Sequence, residues 1–265
     1  SRLSDNELYI YGAETIGGKS VISSWSKWIF DPSDEILFSD WIESVLYIVV
    51  RRPDGVHLEK LDLGKKDEDL GAGATPLGHR VHIDSLISAS GTYDVALDRT
   101  TWNLPYDPIA NGGEYLIVRG GAWGSARGGV ISQLATGIAD TLTATGDWSA
   151  FPVYIGREYL SNYQLSEIVK RDANGLGEIN GRLQIRKGRV VYSETGAFDV
   201  VVSSVEDDNV STVSYTPTTI GGSLLGAVVP DDGRFQFYIG GRSEDVRVAF
   251  QSASFLPFKL SSFNW

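Results

Sequence analysis

The sequence predicts a mainly β protein, with propeller-blade-like strands at the N-terminus followed by small β-sandwich-like domains. Three observations carry that prediction. Polar and apolar residues alternate in Arg182-Leu183-Gln184-Ile185-Arg186 and in Phe198-Asp199-Val200, the period-2 pattern of strands that rest one face on a core. Turn-forming clusters punctuate the chain at Arg52-Pro53-Asp54-Gly55, Asp172-Ala173-Asn174-Gly175, Ser193-Glu194-Thr195-Gly196 and Pro230-Asp231-Asp232-Gly233. Neither a long amphipathic helical pattern nor an internal repeat of fixed period is evident.

Residues 1–64 read as a unit of four short strands built on Leu8–Tyr11, Trp25–Phe30, Val45–Val50 and Val56–Leu61, with Ile36–Ile42 as a fifth candidate. Four antiparallel strands of this length resemble one propeller blade, whose open edges need neighbours. Residues 65–78 read as a linker, because Lys65-Lys66-Asp67-Glu68-Asp69 and Gly71-Ala72-Gly73-Ala74 offer little to bury. Residues 79–150 form a small β-sandwich or inserted β domain, with strands at Val81–Ile83, Thr100–Leu104 and Tyr115–Val118. Residues 151–265 form a C-terminal β domain. Within it, Leu160, Tyr163, Leu165, Ile168 and Val169 are spaced loosely like a helix face, although a strand is the expected element.

Several motifs in this order carry a resemblance. Val153–Tyr159, Gly181–Arg186, Tyr192–Phe198 and the closing run from Phe250 through Leu256-Pro257-Phe258-Lys259-Leu260 to Trp265 resemble the C-terminal region of the nozzle proteins (tail tubular protein B) of short-tailed bacteriophages. Trp25-Ser26-Lys27-Trp28, Leu46–Val50, Leu58-Glu59-Lys60, Gly91–Asp94 and Thr101–Tyr106 fit the same family in the same order. The resemblance implies a structural virion protein and a fragment of a longer chain. It implies a homo-oligomeric ring of six copies at the distal end of the tail, in contact with an adaptor ring and tail fibres. DNA would be passing cargo, and synthesis would take place in the host bacterial cytoplasm.

Composition narrows the alternatives. The absence of cysteine among 265 residues removes disulfides, thiol nucleophiles and cysteine-ligated zinc. A net charge of −11 has the wrong sign for tight binding of a phosphate backbone, although an acidic wall would suit a conduit that must not trap DNA. No segment approaches the roughly 20 consecutive apolar residues of a membrane-spanning helix, and no signal peptide is visible, so a soluble chain is expected.

The sequence shows no catalytic, cofactor or metal site. His57, His79 and His82 are the three histidines, and the last two would point to opposite faces of a strand. The acidic groups Asp31/Asp34/Glu35, Asp40/Glu43, Asp67–Asp69, Glu206–Asp208 and Asp231/Asp232 fall mostly in turns, where carboxylates serve solvent and the local backbone. The glycine-dense run Gly120–Gly129 matches no nucleotide-binding spacing and reads as a flexible loop with Trp123 at its tip. Trp123 and Trp148, in glycine-flanked loops, are the candidate partner contacts. These two residues and the acidic clusters also support the alternative expectation, a carbohydrate-binding or glycan-degrading tail module.

Overall fold

The computed structural model describes residues 2–16, 19–62, 77–135, 139–171, 177–178, 183–205, 209–217 and 229–265. Strands dominate them, as the alternation predicts, and the one helical element is a single 3-10 stretch at Gly121–Ala126. The chain divides into two compact units. The first is Ser1–Lys66 with Thr101–Gly113 and Ala135–Thr143; the second is Asp67–Thr100 with Glu114–Leu134 and Ala144–Trp265.

The first unit begins with β1 (Arg2–Ser4), β2 (Glu7–Ile16), β3 (Lys19–Ile29), β4 (Glu35–Ile42), β5 (Val45–Arg52) and β6 (Gly55–Asp62). Ile36–Ile42 is thus a full strand. The expected single blade is instead two antiparallel sheets of three strands, β1-β2-β3 and β4-β5-β6. The break follows from local bonding: Phe30 N–H and Ile36 N–H both donate to the Asp5–Asn6 turn, at 2.9 and 2.6 Å, so β4 starts a new sheet. Leu46, Ile48 and Val50 alternate inward from β5 and meet Leu8 and Ile36 in one core, with Trp28 and Leu61 packed against it. That is the period-2 pattern converted into burial.

The Arg52-Pro53-Asp54-Gly55 turn joins β5 to β6 as expected. Its Asp54 side chain, 6% exposed, is a bracing point. It accepts the Asp107 backbone N–H at 2.8 Å and lies 2.8 Å from His57 Nε2. Burial alone would raise its pKa, but these hydrogen bonds, with another from Asn111, hold the carboxyl below its ordinary value. A carboxyl lowered on folding contributes stability above the unfolded-state pKa and loses it as pH falls through the folded value. Stability should therefore drop on acidification below about pH 4. Asp54→Asn should flatten that acid limb while costing about 1–3 kcal/mol at pH 7. Thermal melts of both proteins from pH 3 to 7 measure the difference.

Further along lie β7 (Asp84–Ala89), β8 (Thr92–Asp94), β9 (Arg99–Asn103), β10 (Glu114–Arg119), β11 (Val130–Leu134), β12 (Thr141–Thr145) and β13 (Val153–Arg157). Then come β14 (Ser161–Gln164), β15 (Lys170–Arg171), β16 (Gly177–Glu178), β17 (Gln184–Thr195) and β18 (Phe198–Ser204). The last are β19 (Val210–Tyr215), β20 (Asp231–Arg242), β21 (Val246–Ser252) and β22 (Leu260–Asn264).

In the second unit one sheet has the order β11-β10-β13-β7. Its central strands are unbroken apolar runs, Tyr115–Val118 and Val153–Gly156, buried throughout. Leu116, Val118 and Tyr154 pack with Ile83, Phe255 and Leu256. Val81–Ile83 is irregular rather than the expected strand: His82 N–H donates to Phe255 O at 2.7 Å, and Ile83 is drawn into that core.

Two further sheets, β20-β17-β22 and β14-β21-β18-β19, close on one shared core as a sandwich. The segment after Leu160 opens as β14, so strand rather than helix is found there. The turn at Ser193–Gly196 does not make a hairpin; it passes the chain from β17 in one sheet to β18 in the other. Only glycine fits at its last position, since a Cβ on Gly196 would lie 2.5 Å from Leu256 Cβ. Pro230-Asp231-Asp232-Gly233, expected as a turn, instead leads into β20, which pairs with β17 from Asp231 onward. Asp232 Oδ1 accepts the Glu194 N–H at 2.6 Å and holds that end of the ladder. The clusters Asp172–Gly175, Asp67–Asp69 and Glu206–Asp208, and most of the 65–78 linker, lie outside the described residues.

Candidate functional site: an arginine between two tryptophans

The site is built where β10 and β13 run side by side. Antiparallel pairing sets Arg119 opposite Val153, so the chain leaving β10 meets the chain entering β13 at one end of the sheet. The glycine-dense run after Arg119 is an ordered turn rather than a free loop. Arg119 N–H donates to Gly129 O at 2.9 Å and Gly128 N–H returns to Arg119 O at 2.8 Å. Positive φ angles at Gly124 (58°) and Gly128 (74°) explain the glycines there.

Both candidate tryptophans come to this place. Trp123 is half-buried, and its indole N–H donates to Pro152 O at 3.1 Å. Its ring lies 6.1 Å from that of Trp148 and meets Phe151 edge-on at 5.8 Å. Trp148 is only 7% exposed, so the glycine-flanked loop buries its tryptophan. The Trp148 indole donates to Thr145 O at 3.2 Å. Phe151 is 45% exposed and forms the open rim.

Sequence reasoning missed Arg119, which completes the cluster. Its guanidinium carbon stands 3.9 Å from the Trp148 ring centroid and 4.6 Å from that of Trp123, a double cation–π contact. Burial lowers its pKa from the ordinary value, and an arginine stays charged nonetheless. The only sequence signal for the cluster was the pair of loop tryptophans; 29 positions separate Arg119 from Trp148, and the sheet alone joins them.

Thr100 sets the position of Trp148. Fully buried, its hydroxyl accepts the Trp148 backbone N–H at 2.9 Å and donates to Gly146 O at 2.7 Å. Thr100→Val removes both bonds from an enclosed site, and the expected loss is about 1–3 kcal/mol. A shifted Trp148 indole resonance should accompany it, while Thr100→Ser keeps the native position. Melting curves and indole NMR spectra of the two variants measure this.

The other candidates lie elsewhere in the fold. Asp34 is buried beside Arg52, Glu35 pairs with Arg51, and Asp231 Oδ1 accepts the Asp232 N–H at 2.8 Å. Asp40 and Glu43 are exposed. His57 faces Asp54, and His79 is buried with Nδ1 3.3 Å from Arg80 O. Among the described residues, no three His, Asp or Glu side chains gather as a metal site would need. No helix among them is long and apolar enough to cross a membrane.

A chain in which strands do the packing and carboxylates brace turns is built as a β scaffold, with an aromatic–cation cluster as its most developed surface feature. The bacteriophage nozzle protein family matches residues 1–265, and this chain belongs to that family. It is also similar to the tail tubular protein gp12 of Escherichia phage T7, at 26% identity over 255 residues. That match covers 91% of this chain, which spans 31% of the relative's length.

Proposed function

We propose that this chain is a structural part of the tail of a short-tailed phage, within the distal nozzle ring that retains the genome and conducts it during ejection. The observation that carries the reading is membership of the nozzle family along the whole of residues 1–265. The relative's name, a tail tubular protein, supports a place in the virion tail. Further copies of the chain, an adaptor ring and tail fibres are its partners, and DNA is cargo. The work is mechanical rather than enzymatic. Dense apolar cores in both units suit a rigid wall, and a net charge of −11 suits a surface that repels passing DNA.

The outer face of β4-β5-β6 supports life in an assembly. Phe38, Val49 and Leu58 stand in one cross-strand row, with Phe38 60% and Leu58 70% exposed. Apolar rows of this kind commonly mark interaction surfaces. Gold-labelled antibody to this chain, imaged on virions that carry it, is the test. Label at the distal end of the tail is the expected result. Label on lateral fibres or spikes, or none on particles opened to expose the epitope, overturns it. Release of reducing sugar from host polysaccharide by the purified chain would overturn the non-enzymatic part.

A further inference from the structure

We propose that the outer face of the β20-β17-β22 sheet is a binding site for single-stranded nucleic acid, which it holds by the phosphates and by base stacking on Tyr238. The inference rests on local geometry and not on the tail assignment, so the two stand or fall separately. Strand register builds the face. Lys187, Arg189 and Val191 project from β17 on the side opposite the core residues Val190 and Tyr192. Pairing sets Tyr238 beside Lys187, Gln236 and Asn264 on either side of Arg189, and Arg234 and Ser262 on either side of Val191. The bulge between Ile185 and Lys187 leaves Arg186 exposed next to them. None of these rows contains a carboxylate.

Arg186, Lys187, Arg189 and Arg234 are all exposed, and none of them makes an ion pair with a described carboxylate. The carboxylates at the Arg234 end are engaged with other groups. Asp232 Oδ1 accepts the Glu194 N–H at 2.6 Å, and Glu194 pairs with Lys259 at 2.7 Å. Lys187 and Arg189, two residues apart on one strand, stand about 7 Å apart, a spacing that successive phosphates of an extended strand can follow. Tyr238 is 68% exposed. Its ring leans over Gly240, whose φ is +69° and where a Cβ would stand 2.3 Å from Tyr238 Cε1. A glycine there seats the ring against the strand and leaves most of it open to stack a base.

The make-up of the face selects nucleic acid over an acidic protein. A protein-docking surface has an apolar, charge-poor centre. Here the centre is Arg189, and the one aliphatic side chain in the rows, Val191, is half-buried. Gln236, Asn264 and Ser262 place hydrogen-bonding groups between the cations, as contacts to phosphate and sugar require. Several cations in one field hold a polyanion, whose affinity grows with the number of phosphates neutralised. The net charge of −11 is a sum over the whole chain. At physiological salt, charges more than about 8 Å from the face are largely screened from it.

The test is the fluorescence anisotropy of fluorescein-labelled (dT)12 titrated with the full 265-residue chain, from low to physiological salt. Saturable binding is expected, with log affinity falling against log salt at a slope of about −3 for four contacts. Arg189→Gln should reduce the steepness of that slope by about 0.7. Tyr238→Ala should weaken binding about tenfold and leave the slope unchanged. Amide NMR shifts on adding (dT)12 should concentrate on β17, β20 and β22. Four results overturn the proposal: no saturable binding at low salt, a slope that Arg189→Gln does not change, a Tyr238→Ala protein that binds as well as wild type, or shifts centred elsewhere. Tighter binding of oligoglutamate, of phosphatidylglycerol vesicles or of duplex DNA overturns it as well, since the face would then serve another partner. Should Arg189→Gln lose its dispersed amide spectrum, Lys187→Gln and Arg234→Gln take its place.

Discussion

Arg52→Met should destabilise the first unit by about 3–5 kcal/mol, because it removes the cation beside a buried carboxylate. Arg52 and Asp34 are each 3% exposed at their side chains, with Arg52 Nε 3.9 Å from Asp34 Oδ2. The guanidinium Nη2 reaches Glu59 Oε1 at 2.8 Å, and Glu59 is a quarter exposed. Without the cation, Glu59 can turn to water, whereas the enclosed Asp34 loses the positive charge beside it. The asymmetry predicts that adding Asp34→Asn to Arg52→Met restores much of the loss, since an uncharged group tolerates enclosure far better. Hydrogen exchange of the β4, β5 and β6 amides reports this unit's stability separately from the other. Equal protection in wild type and Arg52→Met would show that the ion cluster contributes nothing.

Phe250→Ala should cost the C-terminal sandwich about 3–5 kcal/mol, the usual loss for emptying an enclosed aromatic site. Phe250 is fully buried on β21 and meets Phe237 edge-on at 5.9 Å and Phe263 at 6.1 Å. Those two rings stack on each other across β20 and β22, so one ring of one sheet plugs the aromatic face of the other. Phe250→Leu keeps most of the volume and should cost less than about 1.5 kcal/mol. Gly188 is part of the same fit: a Cβ there would stand 2.7 Å from Phe237 Cζ and 2.8 Å from Phe263 Cε2. Urea unfolding followed by exchange at β17, β18, β20 and β21 measures the ranking. An Ala variant as stable as the Leu variant would mean that the sandwich collapses around the hole.

Much of the β architecture was legible before any coordinates. The strands expected at Val45–Val50 and Tyr115–Val118 were found, and the alternation in Phe198-Asp199-Val200 became a strand with Phe198 and Val200 buried. Turn chemistry was less reliable. Arg52–Gly55 makes a hairpin, whereas Ser193–Gly196 turns the chain out of one sheet into another and Pro230–Gly233 leads into a strand. Neither of the last two closes a hairpin, and one cause serves both. A turn signal states that the chain can bend, but the partner of the next strand is chosen by the core that strand can reach. For β18 that partner is β21, and Val200, Val202, Val248 and Phe250 join the residues of β17 in the one core between the two sheets.

The candidate site divides the same way. The sequence by itself determined that the protein is a strand-built scaffold, that it is acidic, and that Trp123 and Trp148 occupy glycine-flanked loops, because these depend on residue type and local order. Only the tertiary structure decided that the two rings lie 6.1 Å apart with Arg119 held between them, and that Trp148 is enclosed while Phe151 is open. Antiparallel pairing of β10 with β13 makes neighbours of residues far apart in sequence, and a cation–π clamp needs its parts within about 6 Å. Local pattern cannot carry a distance that a sheet creates.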